Sequence, residues 1–227
     1  MKRRRWLAAF ILICGLALAG CTAGGGTDAE ALKAENETLK AEKALLQQQA
    51  AKLVRKAGEA PSDLLLRTAL GATERLKEKD MAGLADFVHP EKGVRFTPYS
   101  FIDPAKDVVL TAEQMQSRLE DSETSLWGNY DGSGEPIRLT FRDYYDRFVY
   151  DKDYTGAEII GNNKVIGTGN AISNIAEVYP EGEFIEFHFS GSDPQYGGTD
   201  WRSMTLVFEP KDAIWYLVGI VHSEWTI

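Results

Sequence analysis

Three histidines, His89, His188 and His222, are the side chains of this sequence best suited to metal binding or proton transfer. A neutral imidazole can bind zinc or another transition metal, and it can move a proton near neutral pH. Successive histidines are separated by 99 and 34 residues, which carries no ligand-spacing signal. The sequence therefore predicts hydrogen-bonded or exposed histidines, with no metal and no cofactor.

Acid–base chemistry would need a histidine beside a carboxylate, and several polar side chains fall on or near the late predicted strands. In one shared pocket, a His–Asp pair could shuttle a proton. Asp200 and Glu186 are better explained as the polar faces of strands, which is the interpretation we favour. Residues 191–199 form either a glycine-rich flap over that pocket or a long hairpin turn. The candidates for the pocket are His188, His222, Asp200, Trp201 and Arg202, with Glu186 nearby.

Residues 129–134 resemble the first half of a calcium-binding loop. Asn129, Asp131 and Ser133 would supply oxygen ligands at positions 1, 3 and 5, and Gly134 would provide the sharp turn. Position 12 is Thr140, which cannot give the bidentate carboxylate that such loops need. A tight turn with glycines at positive φ is therefore the favoured interpretation.

The N-terminus has the order of a targeting signal. Residues 2–5 are Lys-Arg-Arg-Arg, residues 6–19 are apolar, and the run closes at Cys21 with the sequence Leu-Ala-Gly-Cys. This order resembles a bacterial lipoprotein signal peptide with its lipobox. The resemblance implies that residues 1–20 are removed and that Cys21 receives a thioether-linked diacylglyceryl group. The protein would then be anchored by lipid to the bacterial cell membrane, with its domain on the extracytoplasmic side.

An uncleaved N-terminal anchor is the alternative. The apolar run of 14 residues is short of the roughly 20 that a membrane-spanning helix needs. Two acyl chains on Cys21 would hold the protein stably, whereas one chain binds only weakly. We therefore expect the membrane to be a partner through the lipid alone.

Charge and cysteine content limit the other partners. The chain carries a formal charge of −9, and loss of the four basic side chains in residues 1–20 makes it −13. Such an acidic chain is not expected to bind nucleic acid, and its favoured partners are neutral or cationic. The only other cysteine, Cys14, leaves with the signal, so stability must come from a hydrophobic core rather than from disulfides.

A linker and a helical spacer are predicted to follow the lipid anchor. Residues 21–27 are small and glycine-rich, which indicates a flexible linker. Residues 28–57 contain no Pro and no Gly, and leucines recur every seven residues from Leu32 to Leu53. If these leucines occupy position d of a heptad repeat, Asn36 and Lys43 occupy position a, where polar side chains weaken the association of two helices. A single helical spacer and a weak parallel homodimer both remain open.

Residues 61–227 are predicted to form one globular α+β domain. Capping residues and apolar periodicity predict helices over about 63–79, 80–88, 111–121 and 140–149. Alternation and turn signals predict strands over 94–102, 107–110, 156–161, 170–179, 183–190, 201–209 and 213–225. Short turns between the late strands favour an antiparallel sheet. The predicted fold class is therefore helices packed on a curved antiparallel sheet.

This element order is similar to the cone-shaped NTF2-like fold. Residues 76–84, followed by residues 89–96, look like the opening helices and first strand of that fold. The long stretch 127–170, with an extra helix, departs from the compact pattern. The resemblance implies a possible pocket between sheet and helices, but it implies no particular reaction, because such domains serve as enzymes, binding modules and interaction domains.

Two functions from different classes are compatible with these features. We favour a binding or interaction module that holds a cell-wall fragment, a peptide or another envelope protein, since no catalytic motif is present. The alternative is a small-molecule enzyme that uses a His–Asp pair in an NTF2-like cavity. A structural role, in which the long helix mediates assembly, is the third possibility. An enzyme requires a histidine beside a carboxylate inside a pocket, whereas a binding module should present aromatic side chains on an open groove or a flat face.

The lipoprotein hypothesis makes a direct prediction for Cys21. Cys21→Ser removes the acylated sulfur, so we expect the protein to leave the membrane fraction of disrupted cells. Immunoblots of membrane and soluble fractions measure this, with the unsubstituted chain as the control. Retention of the unprocessed variant in the membrane fraction would contradict the hypothesis, because an uncleaved signal helix would then be the anchor.

Overall fold

A computed structural model of the protein describes residues 32–43, 45–46, 61–170 and 172–226. The chain divides into two units, of which the first ends at Leu45 and the second begins at Leu46. Residues 32–43 and 45–46 are helical and exposed. Cys21, the predicted linker and the rest of the spacer lie outside the described residues. Within the described ranges, no helix is both long enough and apolar enough to cross a membrane.

The second unit is a mixed α+β domain, as predicted. Its helices are α1 (Pro61–Lys77), α2 (Met81–Ala85), α3 (Ala112–Ser117), α4 (Phe141–Phe148) and α5 (Ile175–Val178). Its strands are β1 (Val94–Thr97), β2 (Val108–Leu110), β3 (Ser125–Asn129), β4 (Pro136–Leu139), β5 (Ile159–Asn162), β6 (Glu183–Phe189), β7 (Arg202–Lys211) and β8 (Ile214–Glu224). Short 3-10 helices span Arg118–Glu120, Tyr154–Gly156 and Pro194–Tyr196.

Six strands form one sheet in the order β2-β1-β8-β7-β6-β5, and β3 and β4 form a separate hairpin. Strands β5 to β8 make an antiparallel meander, but β1 and β8 are parallel. The prediction of a purely antiparallel sheet is therefore wrong at this pair. Short turns fix the direction of consecutive strands only, whereas β1 joins the last strand of the chain through tertiary packing.

Side chains alternate along β6, β7 and β8 and so divide the sheet into two faces. On the inner face, Phe187 and Met204 belong to the main core with α1, α2 and α4. On the outer face, Val207 and Val221 pack in a second cluster with residues from α5. A register shift between Val207 and Phe208 interrupts the β7–β8 ladder.

Aromatic side chains dominate the core on the inner face. The aromatic face predicted for the fourth helix is confirmed, since Phe141, Tyr144, Tyr145 and Phe148 of α4 are all buried. Trp127 of the β3–β4 hairpin stacks on Tyr144, with ring centroids 4.1 Å apart. The hairpin, which the sequence analysis missed, therefore closes the core over α4.

The caps of α3 and α4 match their predictions. Thr111 accepts a hydrogen bond from the Gln114 N–H, and the Gln114 side chain accepts one from the Thr111 N–H, which completes the predicted capping box. Thr140 caps α4 in the same way through the Asp143 N–H. These local patterns are determined within four residues, so the sequence suffices to find them.

Two predicted strands differ from the structure for physical reasons. The strand predicted over 94–102 ends at Thr97, because Pro98 has no N–H to donate to a ladder. The strand predicted over 170–179 is wrong, since α5 occupies part of it. There, Asn174 accepts a hydrogen bond from the Ile102 N–H at 2.8 Å and donates one to the Ile102 carbonyl at 2.9 Å. The side chain of Asn174 thus makes hydrogen bonds with the Ile102 backbone, which a neighbouring strand would otherwise make.

Adjacent tyrosines of α4 give opposite predictions for stability. The Tyr144 hydroxyl is fully buried and has no hydrogen-bond partner among the described residues, whereas the Tyr145 hydroxyl donates to the Leu76 carbonyl. An unpaired buried hydroxyl costs free energy and a paired one contributes it. We expect Tyr144→Phe to raise the free energy of unfolding by about 1 kcal/mol, and Tyr145→Phe to lower it by about 1 kcal/mol.

Urea denaturation of both variants and of the unsubstituted chain measures these changes. Each variant is the matched control for the other, because both remove one hydroxyl from the same helix. An equal loss of stability in the two would contradict the assignment of an unpaired hydroxyl to Tyr144.

Candidate functional site

An open groove of about 820 Å³ crosses the outer face of the sheet. Its floor comes from β1 and β8, one wall from the loop after β1, and the other wall from α5. This groove is called the outer groove below. Its lining residues are Lys92, Arg95, Phe101, Ile102, Asp103, Pro104, Val109, Asn174, Glu177, Val178, Tyr179, Glu209 and Val218.

Arg95 is held in place at the floor of the outer groove. Its Nε donates to the Tyr179 hydroxyl at 3.3 Å, and its Nη1 donates to the carbonyls of Pro104 and Asp107 at 3.3 and 3.5 Å. The Tyr179 hydroxyl in turn donates to the Val218 carbonyl at 3.2 Å. Gly219 permits this arrangement, because a Cβ there would lie 3.3 Å from the Tyr179 hydroxyl. The guanidinium is therefore positioned before any ligand arrives.

The outer groove combines apolar and charged surface. Phe101 is 58% exposed and Val109 is 40% exposed, which is high for large apolar side chains in a folded domain. Lys92 forms an ion pair with the largely buried Glu209 at the other end of the lining. The groove can therefore contact an apolar group while it pairs with charges of either sign.

A smaller cavity of about 300 Å³ lies under a strap, residues 165–170 and 172–175, that crosses the same outer face. This is called the strap cavity below. Glu186 holds the strap, since its carboxylate accepts hydrogen bonds from the N–H groups of Ile166 and Gly167, both at 2.8 Å. It also accepts one from the Ser203 hydroxyl at 2.6 Å.

His188 lies beside this carboxylate on the outer face. Its Nδ1 is 2.8 Å from the Ser203 oxygen, and Ser203 donates its own proton to Glu186. This assignment makes Nδ1–H the donor to Ser203. Burial lowers the pKa of His188, although the negative charge of Glu186 acts to raise it. The Trp201 ring lies 5.8 Å from the imidazole, between centroids.

His222 lies on the inner face and is fully buried. Its Nδ1 is 3.2 Å from the Pro98 carbonyl oxygen and its Nε2 is 3.3 Å from the Asp151 carboxylate. Both ring nitrogens therefore face acceptors, and an imidazolium can donate to both. The contact with Asp151 is the His–Asp arrangement that the enzyme hypothesis requires.

Asp151 connects His222 to a network of charges. Arg202 Nε lies 3.3 Å from the Asp151 carboxylate, and Arg202 Nη2 lies 2.9 Å from Glu224. Tyr154 donates its hydroxyl proton to Asp151 at 2.7 Å. Burial alone would raise the pKa of Asp151, but the hydrogen bond and charge of His222, with Tyr154 and Arg202, lower it below the usual value.

The five residues predicted for one pocket do not meet. His222 and Arg202 share the Asp151 network on the inner face, while His188 and Trp201 lie together on the outer face. Asp200 is in neither group, because its carboxylate accepts from the N–H groups of residues 192 and 193 at 2.9 and 3.1 Å and closes the loop before β7. Asp151 was not predicted from the sequence, where its only signal is its place just beyond the aromatic helix.

The other candidate ligands have structural roles. His89 Nδ1 accepts hydrogen bonds from the N–H groups of Glu91 and Lys92 at 3.2 and 3.1 Å, and burial, with the Lys92 charge, lowers its pKa. Residues 129–134 comprise the last residue of β3 and the turn that follows it, with Gly132 and Gly134 at positive φ, as the turn interpretation predicts. In the part of the chain that the structure describes, no cluster of three or more metal-ligating side chains occurs.

Comparisons with known proteins find low similarity. No protein-family model matches the chain, and no curated protein matches it. An NTF2-like protein of unknown function from Shewanella oneidensis is similar over 73% of this chain and 100% of its own, with 12% identity and a TM-score of 0.32. A protein from Xanthomonas campestris, described as a calcium/calmodulin-dependent protein kinase II association domain, is similar over 67% of this chain and 79% of its own, with 13% identity and a TM-score of 0.29. At these values the likeness establishes neither a family nor a function.

The lowered pKa of Asp151 predicts how acid acts on this network. A carboxylate with a lowered pKa in the folded state stabilises the fold above its unfolded value of about 4, and loses that contribution as the pH falls through the folded pKa. We expect the stability difference between the unsubstituted chain and Asp151→Asn to be constant above about pH 5 and to shrink below about pH 4.

Urea denaturation at a series of pH values measures this difference. Because the two chains differ at one carboxyl, the titration of acids outside the Asp151 network cancels. A stability difference that stays constant down to pH 2 would contradict the lowered pKa.

Proposed function

We propose that this is a lipid-anchored cell-envelope protein whose exported domain, residues 61–227, binds a ligand in the outer groove. The anchor is proposed from the signal-like residues 1–20 and from Cys21, through which the membrane would hold the protein. The ligand is proposed to be a peptide, a cell-wall fragment or a segment of another envelope protein.

The observation that carries the binding function is the form of the outer groove. It is open, its volume of about 820 Å³ lies within the usual range for ligand sites, and Phe101 stands 58% exposed at its wall. An exposed aromatic ring can pack against the apolar part of an extended ligand while the fixed guanidinium beside it pairs with a negative group. These features support a binding module, for which aromatic side chains on an open groove were expected.

The charges of the groove indicate which ligands fit it. Arg95 can meet an anionic group, and Glu177 can meet a cationic one. Lys92 and Glu209 already pair with each other, and Asp103 pairs with Lys106. A peptide or wall fragment carries apolar groups and charges of both signs on a short length, so it matches this lining. A nucleic acid does not, because the acidic chain would repel its phosphates.

The contact between His222 and Asp151 favours a second candidate, a small-molecule enzyme. A histidine beside a carboxylate can act as a general acid or base if a substrate reaches it. Neither the outer groove nor the strap cavity is lined by His222 or Asp151. We therefore keep binding as the first proposal and the enzyme as the alternative.

Photo-crosslinking in intact cells tests the groove. Benzoylphenylalanine in place of Phe101 should give a crosslinked species on irradiation, because the ligand would pack against this position. Tyr196 is the matched control, since it is 53% exposed but does not line the groove. We expect Arg95→Leu to reduce the crosslink from position 101, as it removes the fixed guanidinium. The same species from both positions, or none from position 101, would contradict the proposal.

The same assay separates binding from catalysis. We expect His188→Ala and His222→Ala to leave the crosslink and the cellular function intact, because neither residue lines the groove. Circular dichroism checks that both variants fold. Loss of function in a folded His222→Ala variant, with the crosslink preserved, would favour the enzyme instead.

A further inference from the structure

The strap cavity has a polar floor built from neighbouring positions of three strands. Glu186 of β6 pairs with Thr205 of β7, and Thr205 pairs with Val221 of β8. Ser223 extends this floor, and its hydroxyl accepts a hydrogen bond from Ser100 at 3.0 Å. The cavity is distinct from the outer groove, because the two share no lining residue.

Among the residues that the structure describes, no Lys or Arg pairs with the carboxylate of Glu186. Its side chain is 2% exposed, and its three hydrogen bonds come from two backbone N–H groups and one hydroxyl. The nearest titratable nitrogen is Nδ1 of His188 at 3.9 Å, and that nitrogen already bonds to Ser203. Buried carboxylates are normally paired with a cation, so the cavity offers the place that such a cation would occupy.

The hydroxyl groups around Glu186 can also accept hydrogen bonds. Thr205 is 4% exposed, and its hydroxyl makes no hydrogen bond to any residue that the structure describes. A polar group at the wall of a cavity usually meets water or a ligand. Because Thr205 lines the cavity, its hydroxyl is available to a molecule bound there.

The rest of the lining limits the size and the charge of a ligand. Among the described residues, no Lys or Arg lines the cavity, and apolar contact comes from Val165, Ile172, Ile175 and Val221. A volume of about 300 Å³ is at the small end for ligand sites. An anion would meet the Glu186 charge with no compensation, whereas a cation would form the missing ion pair.

We propose that the strap cavity binds a small primary alkylammonium compound. The ammonium group has three N–H donors, and Glu186, Thr205 and Ser223 are the acceptors that would receive them. The alkyl chain packs against Ile175 and Val221. The net charge of −9 adds a general attraction for cations.

Calorimetric titration of the full-length chain in a non-ionic detergent tests the ligand class. The probes are n-propylammonium chloride, 1-propanol and glycerol, each at constant ionic strength. We expect n-propylammonium to bind and the two neutral compounds to give no heat of binding. Tighter binding of glycerol or of 1-propanol would overturn the proposal, because the cavity would then be a hydroxyl or an apolar site.

Two substitutions at one position test the site. Thr205→Val keeps the shape and removes the hydroxyl, so we expect it to weaken n-propylammonium binding about tenfold or more. Its melting temperature without ligand should not fall, because no protein hydrogen bond is lost. Thr205→Ser restores the hydroxyl and should restore binding. Thr124→Val, in an exposed loop, is the control for loss of a threonine hydroxyl elsewhere.

A charge-removing variant completes the test. Glu186→Gln should abolish the preference for n-propylammonium over 1-propanol, with folding checked by circular dichroism. If this variant does not fold, the Thr205 pair decides the question. Unchanged n-propylammonium affinity in Thr205→Val would overturn the proposal. These results do not depend on the outer groove, so the function proposed above can fail while this site stands.

Discussion

Aromatic packing against the inner face of the sheet is the interaction on which the rest of this domain depends. Phe96, Trp127 and Tyr144 are fully buried, and Trp127 stacks on Tyr144 over the sheet. These rings fill the space between the sheet and α4. The sheet residues that line the outer groove and the strap cavity all belong to the opposite face. The outer groove and the strap cavity therefore lie on the face that α5 and the irregular strap cover.

The outer face depends on a few side-chain contacts to keep those segments in place. Asn174 joins the strap to the loop after β1 through both backbone groups of Ile102, and Glu186 holds the strap nearer to β5. Asn174 lines the outer groove, while its neighbours Ser173 and Ile175 line the strap cavity. One short segment thus forms a wall of each site. Only a few polar side chains attach this segment to the sheet, so the outer groove lies on one side of it and the strap cavity on the other.

Local patterns predicted much of the fold, and long-range contacts account for the rest. The capping box at Thr111 and the aromatic face of α4 depend on neighbours within eight residues, so the sequence was sufficient. The parallel β1–β8 pair joins residues more than 100 positions apart, and no short pattern specifies it. The composition of residues 170–179 predicts a strand. Instead, Asn174 attaches this region through a hydrogen bond to Ile102, which is 72 residues away in the sequence. These differences follow from tertiary packing, which overrides local preference.

The site residues were harder to predict, because a single residue of register decides which face a side chain occupies. His188 pairs with Ser203, whereas His222 pairs with Met204, the next residue along β7. That offset places the two histidines on opposite faces, so they cannot share a pocket whatever the turns between the strands. Arg202 lies two residues from Met204 and therefore joins His222 on the inner face. Asp151 comes from outside the sheet and completes that group only when α4 packs on the inner face. The chemistry of the late strands could be identified from the sequence, but its division into two separate environments required the register.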